Sequence, residues 1–361
     1  MAAPDPSTVR FDGPWIHRDI HANGIRFHVV EVGDAEPDAP LVVLLHGFAD
    51  FWWSWRHQLT ALSEQGFRVV AMDLRGYGDS DKPPRGYDGW TLAGDVAGLI
   101  RAMGYGKATL IGHADGGLVC WATALLHPRL VRSIALISSP HPMALKKAVV
   151  RDPYQRRALL PSFLAYQVPL RPERRLTADN GAEVERLVRS RSGPTWPQQP
   201  EFADVMSKMR SAIRIPGVAH STLEYQRWAF RSQLRPEGRR FMRLMDQVLR
   251  IPIVQIHGEL DPYVLTRTVR RDKHWAPGEK LRTIAGVGHY AHQEAPERVN
   301  RELGDFLLRR SDRYRMHAPV GTGVDAEAAA FNWRETSCAV RTNPVSLSST
   351  AAPNTTPRTR P

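Results

Sequence analysis

Apolar and polar positions follow two alternating periods along the first 140 residues. Residues 25–33 (IRFHVVEVG) alternate and are rich in β-branched side chains, which predicts a strand. Residues 41–45 (LVVLL), 68–72 (RVVAM), 108–111 and 131–137 are short, almost unbroken apolar runs. A parallel strand covered on both faces needs such a run. Between them, residues 55–65, 91–103 and 116–126 have helical spacing. After Pro140 the pattern changes: residues 145–245 are helical in period, with Pro and Gly breaks at 192–200 and 215–218. Strand and helix alternate again at 253–256, 265–274, 281–284 and 296–309. Strands alternating with helices predict an α/β fold with a mostly parallel central sheet, here interrupted by an inserted helical cap. The expected boundaries are a loose leader at 1–13, the first part of the core at 14–140, the cap at 141–248 and the second part of the core at 249–310. A disordered tail is expected at 311–361, where Ser, Thr, Pro and Ala dominate. No internal repeat is visible.

Composition narrows this picture. Hydrophobic residues make up 42% of the 361 residues, enough for a sizeable core. No apolar run is long enough for a membrane-spanning helix, and residues 1–10 lack the apolar core of a signal peptide. The two cysteines, Cys120 and Cys338, fit neither a disulfide framework nor a zinc motif. These features predict a cytoplasmic protein. The net charge of +12 is unevenly placed, because residues 145–243 hold 20 Lys/Arg against 9 Asp/Glu. Aromatic residues are not interleaved with these basic ones, so nucleic acid is not the expected partner. A solvated basic face is the plainer reading, and peripheral contact with acidic lipid through the basic cap is the alternative.

Candidate chemistry gathers at the C-terminal ends of the predicted strands, where α/β sheets place ligands. After the strand at 41–45 comes His46-Gly47-Phe48, whose Phe48 backbone N–H is a candidate oxyanion donor. After 68–72 comes DLRGYGDS, a tight loop that Asp73 and Arg75 tie down by ion pairing. The segment Gly112-His113-Ala114-Asp115-Gly116-Gly117 has the form of a nucleophile elbow, small-x-nucleophile-x-small. Gly112 and Gly116 supply the small positions, which puts Ala114, a residue with no nucleophilic atom, at the tip. Asp115 has two readings: a carboxylate opening the next helix, where the dipole favours it, or an attacking group on a distorted loop. Asp261 and His289 each follow a later strand. In the order elbow, acid, histidine, the carboxylate orients the imidazole and makes its other nitrogen a base.

Several spaced blocks resemble the epoxide hydrolase and haloalkane dehalogenase branch of the α/β-hydrolase superfamily. HGFADFWWSWRHQ is similar to that branch's HGFPEFWYSWR, DLRGYGDSDKP to its DxRGxGxSxxP, GHADGG to its GHDWGG, and GVGHYAHQEAPERVN to its histidine segment. The resemblance covers roughly residues 14–309 and is nearest to actinobacterial epoxide hydrolase-like proteins with a GHADGG elbow. It implies the α/β-hydrolase fold and addition of water to an apolar epoxide to give a diol. In that branch an aspartate forms an ester with substrate, a histidine activates water to hydrolyse it, and two cap tyrosines hold the epoxide oxygen. Carried over, His289 is the base, Asp261 its partner, and the N–H groups of Phe48 and Asp115 the oxyanion hole. Tyr225, in LEY, matches the second tyrosine. The first falls at Ser162, with Tyr166 or Tyr154 as out-of-register substitutes. Trp53, with Trp52 and Trp55, gives an aromatic-lined entrance. The chain departs from the family at Ala114, at Ala49 in place of proline, and at the first tyrosine.

The expected function is therefore a hydrolase of the epoxide hydrolase type acting on a small apolar substrate. Its catalytic candidates are Asp115, Asp261 and His289, its substrate-binding candidates Tyr225, Trp53 and Tyr166, and it needs no metal or organic cofactor. Without a nucleophile at 114, His289 could drive direct attack by water with Asp115 assisting. The alternatives are a non-catalytic binding protein for an apolar ligand and an esterase-like hydrolase. The sequence leaves the oligomeric state open.

Overall fold

A computed structural model describes residues 3–317, apart from 33–35 and 37. Eight strands form one sheet. They are β1 (Trp15–Ala22), β2 (Ile25–Val32), β3 (Leu41–Leu45), β4 (Arg68–Met72), β5 (Ala108–His113), β6 (Val131–Ile137), β7 (Ile253–Gly258) and β8 (Lys280–Ile284), in spatial order β1-β2-β4-β3-β5-β6-β7-β8. The six strands from β3 to β8 run parallel, whereas β1 and β2 pair antiparallel at one edge. Every residue of β3, β5 and β7 is buried, because helices cover both faces. Those helices are α1 (Arg56–Ser63), α2 (Gly89–Ala102) and α3 (Asp115–Leu126) in the first half of the core.

The insertion lies between β6 and β7. It consists of α4 (Pro142–Arg151), α5 (Pro153–Ala165), α6 (Arg171–Thr177), α7 (Ala182–Arg191), α8 (Pro200–Ile213), α9 (Val218–Arg231) and α10 (Pro236–Met245). The core then closes with α11 (Thr266–Val269), α12 (Ala291–Glu294) and α13 (Pro296–His317). Polar contacts join insertion to core: Arg56 pairs with Glu201 at 2.6 Å, and the Leu265 N–H donates to Gln155 Oε1 at 2.9 Å. Within the insertion, Arg175, Arg189, Arg210 and Arg227 pair with Glu183, Glu185 and Glu173. No helix among the described residues is long and apolar enough to cross a membrane.

Two expectations need correction. Residues 6–9 of the expected loose leader form a 3-10 turn, Val9 is buried, and the Trp52 indole donates to its carbonyl at 2.8 Å. Strand β1 was not expected at all. It is an edge strand whose burial shows no clean alternation, so its apolar signal is weak. Asp73 and Arg75 tie down the loop between β4 and α2 by ion pairing, as expected, each to its own partner. Asp73 takes His28 Nδ1 at 2.7 Å and the Trp52 N–H at 2.9 Å, whereas Arg75 pairs with Asp95 at 2.6 Å. The expected disordered tail lies outside the described residues beyond 317.

The β5–α3 turn is where backbone packing is tightest. A Cβ on Gly116 would stand 2.2 Å from the Leu45 carbonyl oxygen, and one on Gly112 would stand 2.5 Å from the Gly117 nitrogen. Between them Ala114 is held at φ 47°, ψ −112°, a conformation costing a residue with a Cβ about 1–3 kcal/mol. Three hydrogen bonds hold it there: its N–H donates to Ile137 O at 3.1 Å, and its carbonyl accepts from Leu118 N at 3.1 Å and Ser139 Oγ at 2.7 Å. Gly116→Ala should therefore destabilise the protein by about 1–3 kcal/mol in thermal or urea denaturation. Gly106→Ala, with open space at its Cβ, should be close to neutral. Ala114→Gly should raise stability by about 1 kcal/mol by relieving the strained backbone.

Candidate active site

The elbow register is the one marked by Gly112 and Gly116. Ala114 stands at the tip and Asp115 is the first residue of α3. Both are half-buried, with α3 running away beneath them. The register is not slipped, so the Asp115 carboxylate is presented from the helix start beside the tip. It accepts a hydrogen bond from Gln226 Nε2, on α9 of the insertion, at 2.5 Å. Burial pushes the Asp115 carboxyl up to about 6, against the opposing influences of Arg191, His289 and Gln226. Both the Phe48 and the Asp115 backbone N–H lack a partner among the described residues, and for Asp115 this follows from its place in the first turn of α3.

Facing the elbow is a buried acid–histidine pair. His289 Nδ1 lies 2.8 Å from Asp261 Oδ2, while Asp261 Oδ1 accepts from the Tyr263 and Val264 N–H groups at 2.8 and 2.9 Å. Burial alone would raise the Asp261 carboxyl, but His289 and these donors hold it below the ordinary carboxylate range. An ionised acceptor on Nδ1 fixes that nitrogen as the N–H and leaves Nε2 as the lone-pair nitrogen. The loop carrying His289 is pinned from below. Glu294 accepts from the Gly288 and Tyr290 N–H groups, each at 2.9 Å, and from Gly193 at 2.7 Å. The His289 N–H itself donates to the Arg191 carbonyl at 2.9 Å, joining the end of α7 to the loop that carries His289.

The substrate-binding candidates divide. Tyr166 is in the site: it is buried, stacks on Phe48 with ring centroids 5.2 Å apart, and neighbours Arg191. Tyr225 lines the same region, but its hydroxyl donates to the Arg75 carbonyl at 2.9 Å and is spent on holding insertion to core. Trp53 is not in the site. It packs edge-on against Phe11 at 5.0 Å and Trp15 at 5.6 Å, with Lys208 4.8 Å above its ring. Trp52 and Trp55 are likewise fully buried in packing, so the aromatic run builds core and no entrance. Beside Asp115 opens a cavity of about 460 Å³ between α3 and the insertion, with Leu118, Val119, Leu159, Phe163 and Trp228 among its lining.

Two groups went unread in the sequence. Arg191 is buried and stacks 3.7 Å over Tyr263. In an Arg-rich segment nothing in the spacing marks one arginine as different. Behind the tip, Asp50, His113 and His292 bring one ligand-type atom each to within 4.8 Å of one another, the one such trio among the described residues. Asp50 Oδ2, His113 Nδ1 and both His292 nitrogens have no protein partner there. Two imidazoles and a carboxylate are the donor set that could hold a small divalent cation. Burial raises Asp50 to about 7, so a proton shared with these imidazoles is the alternative at neutral pH. The three come from a loop, the end of β5 and α12, far apart in the chain, so no local spacing announces them.

A carboxyl raised on folding contributes stability below its unfolded value and loses it as pH rises through its folded value. For Asp115 that window runs from 3.8 to about 6. Across it, the stability of the protein relative to Asp115→Asn should fall by about 3 kcal/mol and then level off, as read by urea unfolding at a series of pH values.

With the geometry in place, the comparisons are consistent. Residues 40–296 match the family described as alpha/beta hydrolase fold. The chain is 31% identical over 312 residues to epoxide hydrolase 3 of Xenopus tropicalis, covering 85% of this chain and 81% of that protein. It is 31% identical over 316 residues to epoxide hydrolase A of Mycobacterium tuberculosis, covering 80% and 96% respectively. The crystal structure of Bacillus megaterium epoxide hydrolase with an inhibitor superposes with a TM-score of 0.69 at 27% identity, covering 81% of this chain and 100% of that one. Elbow, acid–histidine pair, inserted cap and these similarities together place the chain in the α/β hydrolase fold family, within its epoxide hydrolase branch.

Proposed function

We propose that the protein adds water to an epoxide by a single displacement, with no ester to the enzyme. The observation that carries this reading is the pairing of an intact Asp261–His289 dyad with an elbow tip, Ala114, that offers no nucleophilic atom. His289 Nε2 takes a proton from water as the water oxygen forms a bond to an oxirane carbon. The carbon–oxygen bond of the ring breaks, and its electron pair goes to the oxirane oxygen. Asp115, whose carboxyl burial raises to about 6, supplies the proton that oxygen needs. The diol leaves, and the proton on His289 returns to Asp115 through solvent. The unpartnered amides of Phe48 and Asp115 support the developing alkoxide in the manner of an oxyanion hole. Asp115 takes over the donor role that a free cap tyrosine would have, because the Tyr225 hydroxyl is committed to Arg75.

Turnover of styrene oxide and trans-stilbene oxide, followed by diol formation, tests the proposal. His289→Ala and Asp115→Asn should each lower kcat by about 100- to 10,000-fold, the usual worth of a positioned acid or base. In the unmodified protein, activity should fall as pH rises through about 6, as Asp115 loses its proton. The residual activity of Asp115→Asn should lack that limb. Full activity in His289→Ala would overturn the proposal. An inert protein that gains turnover on Ala114→Asp would instead mark a binding protein on the same scaffold.

A further inference from the structure

The basic residues of the insertion are mostly ion-paired or exposed, and Arg191 is neither. It is 7% exposed, lies at the last position of α7, and no carboxylate pairs with it among the described residues. A buried charge without a counter-ion is costly, so some other group must repay it. What surrounds this guanidinium is a cage of tyrosines: the face of Tyr263 at 3.7 Å, with the hydroxyl-bearing rings of Tyr166 and Tyr290 as its polar neighbours. The cage adjoins the catalytic histidine. Tyr263 meets the His289 ring edge-on at 5.3 Å, Tyr290 does so at the same distance, and Tyr166 stacks on Phe48, whose N–H is the oxyanion candidate. Arg191 is therefore one tyrosine ring away from the base. The nearby carboxylate, Asp115, does not pair with it and is hydrogen-bonded to Gln226 instead.

The site is also rigid. The Arg191 carbonyl holds the His289 N–H, and Glu294 clamps Gly193 and Gly288 on either side of the junction. Those bonds hold the backbone that carries Arg191, and its planar guanidinium, with two phenols beside it, has the donor pattern to grip a carboxylate by both oxygens. On the other side of Asp115 lies the apolar cavity, with few polar groups in its lining. A ligand spanning the two would be apolar at one end and anionic at the other, with its reacting carbons between.

We propose that Arg191, with Tyr166 and Tyr290, is a carboxylate-binding subsite, and that the substrate is an epoxide bearing a carboxylate within a few bonds of the ring and an apolar body. The substrate class rests on the epoxide-hydrating reading, whereas the anion subsite does not.

Two measurements separate the two. The first compares kcat/KM for trans-3-phenylglycidate with that for its neutral amide. The second follows the rise in Tm given by cinnamate and by cinnamamide, neither of which can be hydrated as an epoxide. The unmodified protein should prefer the glycidate at least about tenfold and be stabilised by cinnamate but not by cinnamamide. Arg191→Gln should reduce the glycidate-to-amide ratio at least about tenfold and abolish the cinnamate shift, with Arg191→Lys in between. Equal turnover of glycidate and amide, with no selective cinnamate shift, would overturn the subsite and leave the hydrolase reading standing. No turnover of any epoxide, with a cinnamate shift that depends on Arg191, would overturn the reaction and leave the subsite standing. Should Arg191→Gln fail to fold, equal binding of cinnamate and cinnamamide by the unmodified protein would still overturn the proposal.

Discussion

The close approach of the β5–α3 turn to β3 is the constraint on which this molecule's site depends. Helix α3 passes so near the sheet that residue 116 has no room for a Cβ against the Leu45 and His46 carbonyls. That contact fixes where the helix begins and drives residue 114 into a backbone conformation that an alanine adopts only under constraint. It also leaves the first amide of α3 without an internal partner, aimed where charge can develop. Beyond β6 in the same sheet, the ends of β7 and β8 carry Asp261 and His289, so one parallel sheet aligns the dyad, the amides and the tip.

Much of this was legible in the sequence because it rests on short-range steric and periodic signals. Glycines at 112 and 116 fix the elbow register, and apolar runs fix the parallel strands. The chain order of elbow, acid and histidine names Asp261 and His289, and the structure brings them to 2.8 Å. What stayed hidden depends on long-range packing. Trp53 sits in a run that looks like a pocket wall, yet Phe11 and Trp15 claim it, and neither is near it in the chain. Tyr225 is in register with a family tyrosine, but its hydroxyl is taken by a carbonyl 150 positions away. The Asp50–His113–His292 trio and the Arg191 cage gather residues from distant parts of the chain, and no spacing rule anticipates such meetings.

The electrostatics of the site follow from its departures from the family pattern. Moving the carboxylate from the tip to the following residue places it at a helix start under the insertion, where burial favours its protonated form. In the proposed mechanism, a group that the family pattern uses at the tip as an ionised nucleophile acts one residue on as a proton donor. The dyad opposite keeps its own carboxylate ionised through His289 and two backbone donors. Two aspartates pushed in opposite directions by their surroundings are what an acid and a base acting together require.

Single turnover in water enriched in oxygen-18, with enzyme in excess over an epoxide it hydrates, addresses this division of roles most directly. Direct attack by water predicts that the diol formed in the first turnover carries the heavy isotope and that no carboxylate of the protein does. A first-turnover diol bearing only the light isotope, with oxygen-18 appearing in the peptide that contains Asp115, would contradict the account and make that carboxylate the nucleophile.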